Sequence, residues 1–231
     1  MTSPAIKKII HDLLEQNDLD AVASFVQRNK KALSQLIRMA YDKDTLEGWR
    51  AIKAIGRASR TLVKTDDEFL RVTIRKLLWS LTDESGGIGW SAPEILGEIV
   101  SADPDKFSDI IPLIAGVYEI EEKVFRPGVV YALAGIAESA PERVACFQKI
   151  IIMALTDDNA LVKVNVLDLV GKLWKISIDG KVWNNEYAER VRNALIYLKN
   201  DCGVAIVYKN NGFIDIQVGE KALNVLAQIT E

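Results

Sequence analysis

The chain has little of what site chemistry usually requires. Among its 231 residues there is one histidine, His11, and two cysteines, Cys146 and Cys202, far apart in sequence. A single histidine and no Cys-x-x-Cys leave no ligand set for a transition metal, and no Ser/His/Asp or Cys/His arrangement can be specified. Two distant thiols do not make a disulfide framework and read as unpaired, as expected of a cytoplasmic protein. No apolar run approaches the roughly eighteen residues of a membrane span. The start, Met1 to Lys8, has no apolar stretch of secretory length; Ser3 and Pro4 read instead as a helix start. Six prolines and fourteen glycines argue against disorder, and a net charge of −3 argues against a strongly basic nucleic-acid binder.

What the chain does have is a pattern that returns five times. Ala54-Ile55-Gly56-Arg57-Ala58, Ile95-Leu96-Gly97-Glu98-Ile99, Leu133-Ala134-Gly135-Ile136-Ala137, Leu169-Val170-Gly171-Lys172-Leu173 and Val225-Leu226-Ala227-Gln228-Ile229 share one form. Two apolar residues precede a tiny one, then comes a variable residue, then a small or apolar one. The tiny residues lie 41, 38, 36 and 56 apart. A period near forty with helical contents is the mark of a stacked helical array.

Apolar residues recur at three- and four-residue spacing to about residue 200, as in Ile6, Ile9, Ile10, Leu13 and Leu14. The spacing predicts helices near 4–16, 18–28, 30–41, 45–63, 66–82, 89–102, 104–119, 123–139, 141–156, 159–176, 184–199 and 219–230. Pro104 and Pro141 follow residues that can cap, so both read as helix starts. One stretch breaks the pattern. Val204 to Tyr208 and Phe213 to Val218 are β-branched and aromatic, and they flank Asn210-Asn211-Gly212, a hairpin signal. Ile214, Ile216 and Val218 alternate with Asp215 and Gln217, which predicts one buried and one wet face. The hairpin reads as a cap on the last helices, or alternatively as a sheet edge for a partner strand.

Two segments, Gly48-Trp49-Arg50-Ala51-Ile52-Lys53-Ala54-Ile55-Gly56 and Leu161 to Gly171, resemble the second helix of HEAT-like repeats, as do the acid-rich turns before them. The resemblance is good over roughly residues 40–175. It departs at Trp90-Ser91-Ala92-Pro93 and Arg126-Pro127-Gly128, which lack the usual Val-Arg. It implies an all-α, right-handed HEAT-like superhelix over residues 1–200, with residues 201–231 adding a β-hairpin and capping helix to the same domain. It implies a binding or scaffold role and no particular activity.

Counting from the tiny residue, positions −6, −3 and +1 form a stripe turned from the core. In HEAT-like proteins this helix class usually lines the concave face. The stripe reads Arg50, Lys53, Arg57; then Ser91, Glu94, Glu98; then Val129, Ala132, Ile136; then Asn165, Asp168, Lys172; then Lys221, Asn224, Gln228. The apolar third row points to a contact surface, unless curvature or the hairpin buries it. Trp49 and Trp90 share position −7 and could stack on a ligand or fill an inter-repeat seam. The partner surface expected from sequence is therefore Arg50, Lys53, Arg57, Trp90, Glu94, Glu98, Val129, Ala132 and Ile136.

Other chemistry is weakly signalled. Gly86-Gly87-Ile88-Gly89 lies beside Asp83 and Glu84 with no Lys-Ser or Lys-Thr after it, so it reads as a turn and not a phosphate loop. Glu94 and Glu98 are one helical turn apart, as an acid–base pair or a solvated face would be. Charge is uneven, net +5 over 1–64, −9 over 65–122 and +1 over 123–231, but the ridge lacks a sustained basic lining. The expected function is a non-enzymatic scaffold that binds another protein, with no cofactor, no metal and no membrane. The alternatives are a nucleic-acid enzyme resembling HEAT-like alkylation-repair glycosylases, or a lyase or chaperone acting on a cofactor carrier.

Overall fold

Polar caps and prolines set where most helices of this computed structural model begin. It describes residues 2–81, 89–120, 123–180 and 182–230; the predicted Asp83–Glu84 and Gly86–Ile88 features lie outside them. The helices are α1 Ser3–Glu15, α2 Leu19–Arg28, α3 Lys31–Met39, α4 Leu46–Thr65, α5 Asp67–Ser80, α6 Ala92–Val100, α7 Ile111–Gly116, α8 Arg126–Ile136, α9 Pro141–Val144, α10 Gln148–Leu155, α11 Ala160–Asp179, α12 Asn185–Leu198 and α13 Val218–Thr230. Asp18, Thr45, Asp66, Asn159 and Asn184 each accept a first-turn backbone N–H, stopping the chain where a helix must start. The strands β1 Val204–Lys209 and β2 Gly212–Gln217 form one two-stranded sheet.

The chain divides into two compact units. The first, Met1–Phe107 with the hairpin turn Asn210–Gly212, holds α1 to α6; the second, Ser108–Lys209 with Phe213–Glu231, holds α7 to α13, β1 and all of β2 after Gly212. In the first unit α4 is the central helix, packed on α2, α3, α5 and α6. In the second α11 is central, packed on α8, α10, α13 and β1. The tiny-residue helices are these central ones and the neighbours they stack on, which is a helical-repeat arrangement.

The segment 104–119 departs from expectation. It is turn up to Ile110, then α7, then a 3-10 turn Val117–Glu119. Pro112 sits near the start of α7. A helix running from 104 would place Pro112 in its interior, with a missing N–H and a ring against the preceding turn. The predicted 141–156 helix is also broken, into α9 and α10, at Ala145–Phe147. The carbonyl of Ala145 accepts instead from the Trp183 indole N–H at 2.9 Å, in a buried setting. Trp183 stacks edge-on against Trp174 and Tyr187 at 6.0 and 5.1 Å, so an aromatic wedge occupies the break.

The hairpin turn is the two residues Asn210 and Asn211, at φ 52° and 64°. That is the conformation a two-residue hairpin loop needs, and asparagine tolerates it. Ala205 is buried and β1 packs on α11, as a cap would. Ile214, predicted inward, is 40% exposed, so this face of the ribbon is buried at Ala205 and Val218 and open at Ile214.

Candidate functional site

The stripe falls on three different environments. In the first unit it is occupied by internal partners. Arg50 on α4 donates to the carbonyls of Leu14 and Glu15 at 3.0 and 3.1 Å. A guanidinium there satisfies carbonyls that end α1 and complements its dipole. Lys53 meets Glu98 at 2.6 Å, and Arg57 meets Asp20. A side chain built on Gly56 would run into Glu98, so the tiny residue lets α6 come close. Glu94 is almost wholly buried, and one of its oxygens accepts from Lys43 at 2.9 Å. The same ammonium donates to the Trp90 carbonyl at 3.0 Å. Trp90 itself is 49% exposed, so its ring does not fill a seam. Glu94 and Glu98, read as a carboxylate pair, are each committed to a separate lysine.

In the second unit the third row is closed. Val129, Ala132 and Ile136 are at most 1% exposed. They belong to the core and cannot be the contact surface expected of them. The reason is local: α8 carries no charge from Pro127 to Ala137 and is packed against α7, α9, α11 and the two short 3-10 turns, Val117–Glu119 and Lys123–Phe125. A helix that is apolar all round is buried all round. Two side chains of the next row reach over it. Asn165 donates to the Pro127 carbonyl at 2.9 Å and Lys172 to the Ala134 carbonyl at 3.0 Å.

The fourth and fifth rows are open. Asp168, Gly171 and Lys172 of α11 face Lys221, Asn224 and Gln228 of α13 across a groove of about 530 Å³, over Leu167 and Val225. A side chain on Gly171 would lie 3.2 Å from the Gln228 amide oxygen, so the missing Cβ keeps the floor clear. Asp168 is bracketed by Lys172 at 2.7 Å and Lys221 at 3.3 Å. Burial pushes the Asp168 carboxyl up, but both ammoniums outweigh it and hold the group below the usual carboxylate range. Burial likewise pushes Lys172 down, and Asp168 and Glu138 more than restore it. Lys172 spends its donors on Asp168, Glu138 and the Ala134 carbonyl. The carboxamides of Asn224 and Gln228 are exposed and make no internal hydrogen bond among the described residues.

A second structural centre lies beside α8. Asp157 accepts from Tyr118 at 2.9 Å, from Arg126 at 3.1 Å and from the Asn159 backbone at 2.9 Å. Burial raises the Asp157 pKa, yet these donors hold it below the carboxylate norm. Burial and the bond to Asp157 push the Tyr118 phenol up. With Arg126 lying 5.2 Å over the Tyr118 ring, this clamp ties the start of α8 to the turn before α11.

No family model matches the sequence, and no curated protein does. Three solved structures are similar over nearly the whole chain. An engineered protein matches at TM-score 0.56 and 17% identity, over 99% of both chains. A designed armadillo repeat protein matches at 0.49 and 16%, over 99% of this chain and 100% of its own. A HEAT-like repeats protein from Thermococcus onnurineus NA1 matches at 0.36 and 14%, over 97% of each. Only the first has a TM-score above 0.5, and at 17% identity it speaks to fold and leaves function to the site. Among the described residues no helix is long and apolar enough to cross a membrane.

Proposed function

We propose that this protein is a non-enzymatic, protein-binding scaffold, and that the α11–α13 groove receives an extended segment of its partner. The observation that carries the reading is the pair of free carboxamides, Asn224 and Gln228, beside an open trough with an apolar floor. A carboxamide donates and accepts at once, so it can bond both the C=O and the N–H of an extended peptide. Ala227, exposed on the α13 wall of the groove, offers that peptide an apolar contact.

Phosphate recognition fits less well. Two ammoniums and two carboxylates, Asp168 and Glu138, nearly cancel around the groove, and Lys172 has no donor left. The Arg50–Lys53–Arg57 row, which could have tracked a phosphate backbone, is spent on carbonyls and carboxylates within its own unit.

A photo-crosslinking residue at Asn224 tests this. Irradiation in extracts of the source organism should give protein adducts, suppressed by excess unmodified protein but not by excess Asn224→Ala/Gln228→Ala protein. Adducts that disappear with nuclease treatment would contradict the reading.

A further inference from the structure

We infer that the outer strand of the hairpin is a docking edge for a third β-strand, supplied by a partner segment with a basic residue between apolar ones. The site is separate from the α11–α13 groove. The turn of two residues makes Lys209 and Gly212 the closing hydrogen-bonded pair, and the Val218 N–H bonded to the Gly203 carbonyl at 2.9 Å lies in the same register. In that register Ile214 and Ile216 bond inward to β1. Phe213, Asp215 and Gln217 direct their N–H and C=O groups to the other side. No hydrogen bond from these three backbone amides to another element is found among the described residues. Phe213, Ile214 and Asp215 are exposed, and a side chain built on Gly212 would meet open space. An edge with unused backbone groups is a template for another strand.

The side chains say which strand. On the outer face Tyr208 and Phe213 make an edge-on ring pair at 6.0 Å, and Ile206 is 65% exposed beside them. Asp215 is the one carboxylate on that face and has no ion pair among the described residues. A strand laid along β2 sets one residue opposite Asp215 and another opposite Phe213. A lysine or arginine opposite the carboxylate, with an aromatic or β-branched residue two positions away, completes both. A second copy of this chain is the poorer occupant. Antiparallel pairing of two β2 strands about Asp215 sets carboxylate against carboxylate, and about Ile214 it sets Asp215 against the Phe213 ring.

The test uses the full chain and a labelled peptide with the core Thr-Ile-Lys-Val-Tyr, followed by fluorescence anisotropy. Saturable binding is expected. Asp215→Lys should weaken it about tenfold, and a peptide with Glu in place of Lys should recover the loss. Asp215→Pro removes an outward N–H without touching the β1–β2 ladder, so binding should vanish while the melting transition stays. Asn224→Ala/Gln228→Ala should leave peptide binding unchanged, whatever it does to the groove. Absence of binding up to millimolar peptide would overturn the proposal, as would binding indifferent to Asp215→Lys and Asp215→Pro, or binding lost in the groove variant. A dimer by light scattering that Asp215→Pro dissociates would give the edge to a second copy and overturn the assigned occupant.

Discussion

Two parts of the second unit share a register and end in opposite environments. Val129, Ala132 and Ile136 of α8 occupy the same stripe positions as Asp168 and Lys172 of α11 and Asn224 and Gln228 of α13. The first set is core; the second lines a groove. Register fixes which side chains of a helix share a face. Whether that face is open depends on how many neighbours the helix has and on what its other faces carry. α8 is apolar on every side and is surrounded. α11 and α13 alternate buried Leu167, Val170 and Val225 with charged and amide side chains, and the gap between them stays wet.

The largest effects should come from treating the closed row as if it were open. Val129→Glu or Ile136→Glu puts an unpaired charge in the core and should cost about 4 kcal/mol or more, or prevent folding of the second unit. A melting temperature left intact by both would reopen the row as a surface. Asp157→Ala should cost on the order of 3–5 kcal/mol in chemical denaturation, since it strands Arg126 and the Tyr118 hydroxyl in a mostly buried clamp. The pH dependence has a definite sign. The Asp157 pKa is lowered on folding, so its contribution is present above the ordinary value of 3.8 and is lost as pH falls through the lowered folded value. Stability that rises on acidification through that range would be inconsistent with the clamp.

Gly97 is buried in α6, and Gly97→Leu should overpack it by on the order of 1–3 kcal/mol; a neutral result would question the repeat register in the first unit. Deleting residues 203–218 uncovers the face of α11 beneath Ala205 and should lower the melting temperature by about 2–4 °C for each kcal/mol lost. An unchanged transition would mean that the hairpin caps nothing. The smallest effect concerns His11. Its bond to Glu47 and the charge of that carboxylate raise its pKa. The contribution is therefore present below the ordinary 6.5 and lost as pH rises through the raised value. Glu47→Gln should lower the His11 midpoint in an NMR titration.

Much of the architecture was legible because it is written in short-range spacing. The five tiny residues located the central helices, the caps located most of their starts, and Asn210-Asn211 located the turn. The misses have physical causes. Pro112 forbids the helix expected over 104–119, and it stood in plain view. The break at Ala145–Phe147 depends on Trp183, about forty residues later, and no local pattern carries that. For the site, the stripe's spacing puts Asp168 and Lys172 with Lys221, Asn224 and Gln228 along the groove, but it does not turn every row away from the core, because Ser91, Glu94 and the whole third row are buried. Its apolar row reads as a contact surface or as a row buried by curvature or the hairpin, and the uncharged run from Pro127 to Ala137 is the signal that decides for burial. The Arg50, Lys53 and Arg57 partnerships were out of reach, because charges along a helix say nothing about which carbonyls and carboxylates lie across from them.

The most direct measurement is the accessibility of the two rows in one protein. In a Cys146→Ser/Cys202→Ser background, single cysteines at Val129, Ile136, Asn224 and Gln228 can be timed against a maleimide. Cysteines at Asn224 and Gln228 should react at rates near that of a free thiol, and bound partner should slow them. Cysteines at Val129 and Ile136 should react orders of magnitude more slowly, through opening of the fold. Equal rates at all four positions would contradict that difference.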